Sequence, residues 1–257
     1  MSTFNYEAFK FKGDTSKKIM DTLVVEAALQ ININDEAYTV VMRTPDNDME
    51  LIRGLLYAED IYKNDEPIDF KVVEIQDNGF SIINLIIPKE KLGKGYLNKR
   101  TLLSVSSCGI CGKQKIDDVK VTGAKFSDTS AITPLQLAKL FCMMQENQAL
   151  FKKTGGSHAA AAFNKKLKLL SVREDIGRHN AVDKVIGTLL NNSTLKQASI
   201  LLVSGRVSYE IISKAFIAGI STVVSVSACS SLAVDFAKEF GIKLIGFCRD
   251  ENATYYT

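Results

Sequence analysis

The chain has 257 residues, 46% of them apolar and 24% charged, the balance of a soluble globular protein with room for one large domain or two sharing a core. Its 32 Lys+Arg against 29 Asp+Glu leave a net charge of +3, too even to point to nucleic acid or a membrane surface. The opening stretch has no apolar core of an export signal, no apolar run approaches the ~20 residues of a membrane span, and the five cysteines are odd in number and unevenly spaced. The expectation is a cytoplasmic protein with reduced, chemically active cysteines.

The first hundred or so residues predict a small α+β unit. Residues 24–33 and 37–43 read as strands joined at Asn34-Asp35-Glu36, and residues 48–58 as a helix with an acidic first turn and Leu51, Ile52 and Leu55 on its apolar side. Residues 71–76 and 80–87 flank Asp77-Asn78-Gly79, a strong hairpin signal. Residues 89–99 form a Lys/Gly-rich connector into a strand-like run at 101–105.

From Thr133 the pattern changes. Thr133-Pro134 can cap and start a helix carrying Leu137, Leu140, Phe141, Met144 and Phe151 on one face, with Cys142 assigned to that apolar face and Gly155 beyond the end. Residues 159–163 and 167–172 predict a hairpin around Asn164-Lys165-Lys166. Asn180 can cap a helix whose Val182, Val185, Ile186, Leu189 and Leu190 make a buried stripe.

The C-terminal stretch is the most regular. Apolar runs at 199–203, 222–226 and 242–247 alternate with amphipathic helices at 208–218 and 232–240, ended by Gly219 and Gly241. Strand–helix–strand–helix–strand implies parallel strands, and right-handed crossovers put their carboxyl ends along one edge. Those ends are Ser204-Gly205-Arg206, Ser227-Ala228-Cys229 and Phe247-Cys248-Arg249. Ligands of open α/β sheets sit beyond such ends, and helix N-termini with Arg206 and Arg249 suit a phosphate-bearing one. The bland alternative is polar strand ends in tight turns. The expected organisation is an α/β fold: an α+β subdomain over 1–105, a cysteine-bearing connector over 106–132, and a parallel-stranded ligand-binding domain over 133–257.

Ser106-Ser107-Cys108-Gly109-Ile110-Cys111-Gly112-Lys113 carries the most chemistry. Thiols three positions apart can exchange, and Lys113 and Lys115 favour the nucleophilic thiolate. Three readings compete. A zinc site needs four ligands, but there is one C-x-x-C, and Cys142, Cys229, Cys248, His158 and His179 are scattered singly. A thioredoxin-like pair expects a helix start, and the flank Gly112-Lys113-Gln114-Lys115-Ile116-Asp117-Asp118 is a poor one. A nucleophilic cysteine with a second thiol as helper fits best, and assigns no metal ligand; spacing alone does not decide.

Five blocks spread along the chain resemble the FdhD/NarQ formate dehydrogenase accessory proteins: Arg43-Thr44-Pro45 with Asp48, Glu50-Leu51, Gly54 and Glu59; the Ser107 to Gly112 stretch; Gly155-Gly156 with His158-Ala159-Ala160; the twelve residues from Arg173 to Lys184; and Ser204-Gly205-Arg206 with Ser208, Glu210, Lys214, the run from Ser225 to Ala228, and Leu232-Ala233-Val234. The resemblance implies a cytidine-deaminase-like domain over 133–257 and a sulfurtransferase that moves sulfur from a cysteine desulfurase to Mo-bis(molybdopterin guanine dinucleotide), a bound sulfur acceptor and not a permanent cofactor, before formate dehydrogenase receives it. It makes Cys108 the persulfide carrier and Cys111 its helper, and it suggests a homodimer. Its cofactor-binding loop falls on Phe247, Cys248, Arg249, Asp250, Glu251 and Asn252, where the family often has a basic residue in place of Asn252; Arg206 and Ser227 join them from the strand-end reading. Cys229 and Ser230 also depart from the family's usual small or Pro residue and Thr.

A zinc deaminase would need H-x-E and a downstream P-C-x-x-C, but His158 precedes Ala159-Ala160 and the C-x-x-C lies upstream. Two other classes stay open: a zinc-stabilised binding module, and a nucleotide-binding chaperone that shields the cofactor without moving sulfur. Arg173, Glu174, Asp175, Arg178 and His179 either pair among themselves or turn a charge toward the ligand, and His158 is divided in the same way.

Overall fold

The computed structural model describes residues 2–64, 66–97, 123–127 and 131–257. The expected strand at 101–105, the Cys108–Cys111 motif and most of the 106–132 connector lie outside the described residues.

The chain opens with a hairpin that the sequence did not predict, β1 (Thr3–Lys12) and β2 (Thr15–Val24), paired antiparallel along their whole length. Its apolar side chains fall on both faces, Phe4 and Tyr6 on one, Phe9 and Phe11 on the other, so no one-sided alternation marks it. All four are exposed. The predicted α+β unit follows as β3 (Ala27–Ile33), β4 (Glu36–Arg43), α1 (Asp48–Ala58), β5 (Asp69–Ile75) and β6 (Ser81–Ile86), in a four-stranded sheet of order β4-β3-β6-β5. The Asn78-Gly79 turn behaves as expected, with Gly79 at φ 86°.

The helix predicted from Thr133 is two helices, α2 (Pro134–Glu146) and α3 (Ala149–Thr154). The Thr133 capping box with Gln136 forms, and Gly155 ends α3 at φ 66°. The break between them is held by Glu174, whose carboxylate accepts from the Leu150 and Phe151 N–H groups (2.8 and 2.7 Å) and so satisfies the new helix start. The bend takes Phe151 out of the apolar face, leaving it exposed; Cys142 is exposed too and is not core.

The second sheet has the order β12-β11-β10-β9-β7-β8. The predicted hairpin is β7 (His158–Asn164) and β8 (Leu169–Asp175). Next come α4 (Arg178–Asn191), β9 (Ala198–Val203), α5 (Tyr209–Ile217), β10 (Thr222–Ser225), α6 (Ser231–Phe240) and β11 (Lys243–Arg249), with β9, β10 and β11 parallel as expected. An unpredicted edge strand, β12 (Asn252–Tyr255), turns back on β11. Alternate residues of the sheet feed two cores. Leu201, Val203, Val223 and Leu244 pack against α4, α5 and α6, while Ile200, Leu202, Val224 and Ile245 pack against α2.

The two sheets are joined through α1 and α4, which make the most extensive contact between elements. They cross at two glycines: a Cβ on Gly54 would stand 1.9 Å from the Asp183 carbonyl oxygen, and one on Gly187 1.8 Å from that of Glu50. Beside the crossing Asn180 does not cap α4, which starts earlier behind Gly177; it is buried and donates to the Met42 carbonyl and to Asp175 Oδ1. We expect Gly187→Ala to lose about 2 kcal/mol or more in urea unfolding, because overpacking costs about 3 kcal/mol and the gain in helix propensity offsets only about 1. An unchanged midpoint would show that the crossing can relax.

Candidate functional site

The carboxyl ends of β9, β10 and β11 lie together, and side chains and backbone lace them. Ser225 Oγ donates to the Gly205 carbonyl (2.7 Å) and accepts from Ser227 N–H (2.9 Å). Phe247 N–H donates to the Ser227 carbonyl, Val207 N–H to Ala228, and Ser230 N–H to Val207. The helices α5 and α6 start from this edge behind Ser208 and Ser230, and Ser230 Oγ caps the Ala233 N–H. The result is a row of turns lined by small residues, with backbone approach that bulkier side chains would block. A Cβ on Gly246 would meet Cys229 Sγ at 3.0 Å.

The sequence-assigned ligand residues distribute along this edge unevenly. Ser227 is half-buried in its turn and Arg206 is exposed beside it. Residues 247–252 are the end of β11 and a turn into β12, with Arg249 paired opposite Asn252. Phe247 sits at a bulge in this pairing, with φ 51° and its ring 51% exposed at the strand end. A left-handed backbone at an aromatic residue is strained, and here it turns the ring out of the sheet. The same bulge sends the Cys248 side chain into the core on the α2 side, so only its backbone faces the edge. Arg249, Asp250, Glu251 and Asn252 are exposed, and Asp250 takes the turn at φ 54°.

The charged blocks divide into two roles. Arg43 is buried in a fork with Asp48 (2.9 and 2.7 Å) and donates to the Ala27 and Gly79 carbonyls. Asp175 and Lys184 form a fully buried pair at 2.8 Å; Asp175 also accepts from Thr44 N–H and Gly177 N–H, and Lys184 donates to the Thr44 carbonyl. Lys214 pairs with Asp183 (2.6 Å), and His179 lies 3.3 Å from both Ser208 Oγ and Glu210. These groups hold elements together. Arg178 and His158 differ. Because β7 runs antiparallel to β9, His158 at its start reaches the same edge as Ser204, with Nδ1 3.4 Å from Ser204 Oγ. Arg178, at the start of α4, packs with it over Gly205. Sequence left both divided between a pairing role and a ligand-facing one; the long-range β7–β9 pairing brings His158 to the edge, and the start of α4 brings Arg178.

Burial pushes the Cys229 thiol up to about 12, with Cys248 adding to it, and pushes Cys248 up to about 11. Both therefore stay protonated at neutral pH.

The overall fold is shared with a crystal structure from Desulfotalea psychrophila described as a candidate formate dehydrogenase accessory protein, which aligns over 100% of this chain and 98% of that one with a TM-score of 0.77 at 18% identity. Sequence comparison is more specific. The model of the FdhD/NarQ family matches residues 24–257. Proteins named "Sulfur carrier protein FdhD" are 40% identical in Streptomyces coelicolor (92% of this chain, 87% of the relative), 40% in Picrophilus torridus (95% and 93%) and 36% in Sulfolobus acidocaldarius (92% and 89%). The chain belongs to the FdhD/NarQ family. Among the described residues no helix is long and apolar enough to cross a membrane.

Alkylation with iodoacetamide at about pH 8 should modify exposed Cys142 quickly and leave Cys229 and Cys248 unmodified, since their thiolate fractions are on the order of one in a thousand or less. Peptide mass spectrometry reads this directly. Rapid labelling of Cys229 would show an anionic, accessible thiol at the strand ends.

Proposed function

We propose that this protein is a cytoplasmic sulfur carrier for formate dehydrogenase maturation, taking sulfur on Cys108 from a cysteine desulfurase and handing it to Mo-bis(molybdopterin guanine dinucleotide). The observation that carries the reading is a C-x-x-C at Cys108 and Cys111 in a chain 36–40% identical, over more than nine-tenths of its length, to proteins named as sulfur carriers. The name of the structural neighbour adds the link to formate dehydrogenase. The β7–β8 hairpin leading into three parallel strands, with β7 antiparallel to them, supports a cytidine-deaminase-like reading of the C-terminal layer.

In the first step Cys108 thiolate attacks the outer sulfur of the desulfurase persulfide. The donor's S–S bond breaks, its cysteine leaves as thiolate, and Cys108–S–SH forms. In the second, Cys111 thiolate attacks the Cys108 sulfur; the outer sulfur leaves as hydrosulfide for the cofactor, and a Cys108–Cys111 disulfide remains. The two cysteines supply the two electrons that reduce the sulfane sulfur, so a dithiol reductant must reopen the disulfide before another turnover. The guanine nucleotide of the cofactor is held at the strand-end edge, where Phe247 offers a ring to stack on, the Ser227 turn and residues 248–252 offer backbone groups, and Arg206 and Arg249 offer charge. A homodimer belongs to the same proposal; light scattering of the purified chain measures it.

Incubation with a cysteine desulfurase and cysteine should add one sulfur to the Cys108 peptide, and Cys108→Ala should lose both the adduct and formate dehydrogenase maturation. Maturation by Cys108→Ala would leave a cofactor-shielding chaperone, and stoichiometric zinc in the purified chain would favour a zinc-binding module. GDP should bind without the molybdenum centre, about 10- to 100-fold more weakly to Arg249→Ala, while Cys108→Ala leaves its affinity unchanged. Calorimetry separates these outcomes, and equal binding by all three proteins would remove Arg249 from the site.

A further inference from the structure

We infer that His158, Arg178 and Arg206 form an oxyanion site at the β7–β9 end of the strand edge, built to take a diphosphate. The first observation is that Gly205 makes room for two side chains at once: a Cβ there would lie 3.2 Å from His158 Nδ1 and 3.4 Å from Arg178 Cδ. His158 and Arg178 therefore stand side by side over bare backbone. The second is that their charges find no carboxylate partner among the described residues. Arg178 Nε is buried without a hydrogen-bond partner, and among the described residues neither Arg178 nor Arg206 has a carboxylate in ion-pair range. A buried guanidinium N–H without an acceptor is costly unless something occupies the place where the acceptor belongs.

The neighbouring carboxylate does not fill that place. Asp175 lies across from His158 in the β7–β8 register, but its oxygens are committed to Lys184, Thr44 N–H, Gly177 N–H and Asn180. The charges that reach His158 are Arg178, Asp175 and Arg206. Burial first, then Arg178 and Arg206, hold its imidazole below the usual range, against the opposing pull of Asp175. Ser204 Oγ already accepts from Ala159 N–H, so its hydroxyl proton is free to reach His158 Nδ1 and leave Nε2 as the N–H donor. Two guanidiniums and a ring N–H are donors that match a multiply charged, many-oxygened anion, and a single carboxylate could not engage them all. That the anion is the diphosphate of a nucleotide rests on the proposed function; the charges do not depend on it.

The test uses inorganic pyrophosphate and the whole chain, with no desulfurase or molybdenum cofactor, so it is independent of sulfur loading on Cys108. The sequence holds only two histidines, and the other, His179, is buried against Ser208 and Glu210. Imidazole NMR therefore follows His158 individually. Pyrophosphate should raise the pKa of His158 and leave His179 unmoved, because a bound anion favours the imidazolium. Without ligand, Arg178→Gln should also raise it by removing a like charge, and the same variant should bind pyrophosphate about 10- to 100-fold more weakly. Arg206→Ala, at an exposed position that does not threaten folding, should weaken binding in the same direction. If saturating pyrophosphate leaves His158 unshifted, or if Arg178→Gln and Arg206→Ala bind it as tightly as the parent, the site does not exist. Pyrophosphate binding here, combined with failure of a cysteine desulfurase to load sulfur on Cys108 in the separate incubation, would keep this site and sink the sulfur-carrier reading; loading without pyrophosphate binding would do the opposite.

Discussion

The close crossing of α1 over α4 is the constraint on which the other features depend. Two helices approach until backbone meets backbone at Gly54 and Gly187, and no side chain at either position would allow it. The contact brings the Arg43-Thr44-Pro45 turn against the start of α4, where Thr44 N–H bonds to Asp175 and Thr44 Oγ1 accepts from Ile176 N–H. The Lys184–Asp175 pair is then sealed from water by both halves of the molecule. A buried pair of this kind gives little net stability, since desolvation consumes most of the Coulomb gain, but it punishes any other arrangement. It fixes how the four-stranded sheet sits on the six-stranded one, and so fixes where Arg178 emerges.

The strand-end edge inherits its geometry from that lock. α4 begins at Arg178, two residues before Asn180 and its buried contact with Asp175, so the position of Arg178 over Gly205 is set by the pairing beside it. The laced turns of Ser225, Ser227 and Val207 use serine hydroxyls and backbone groups instead of bulky side chains. This leaves an edge of small residues and close backbone, bordered by charge at one end and by the exposed Phe247 at the other. Among these charges the buried Arg178 Nε, which has no hydrogen-bond acceptor, is the one that stability alone does not explain.

Much of this was legible in the chain, for physical reasons that differ by element. The helix at Asp48–Ala58 and the parallel strands β9 to β11 follow from local periodicity, and the glycines at 79, 155, 219 and 241 all adopt the positive φ that their turns require. The failures have two causes: the action of residues distant in sequence, and strands without a buried face. The break after Glu146 exists because Glu174 caps Leu150 and Phe151, and Asn180 moved from cap to core because Met42 and Asp175 claim its amide. β1, β2 and β12 lack a clear buried face, so no pattern announces them. The strand-end edge was partly legible: the topology rule put Arg206, Ser227 and Phe247 at the strand ends, where they lie, but the place of His158 depends on β7 running antiparallel to β9, which local sequence does not encode.

The cysteines at the strand ends bear on the proposed sulfur chemistry by being kept out of it. A persulfide is open to attack by any thiolate that reaches it, so under the proposed function a thiolate at this edge would divert the sulfur. Cys229 and Cys248 lie at this edge, one packed between turns and the other turned into the core by the bulge at Phe247. Burial holds both as thiols, with values near 12 and 11, so neither is a competent nucleophile at neutral pH. Cys108 and Cys111 stand in the opposite setting in sequence, flanked by glycines and by Lys113 and Lys115, which favour the thiolate. Among the described residues Cys142 is the exposed cysteine, so it is the suppressed thiolate character of Cys229 and Cys248, and not a low cysteine count, that keeps the strand-end edge free of a competing nucleophile.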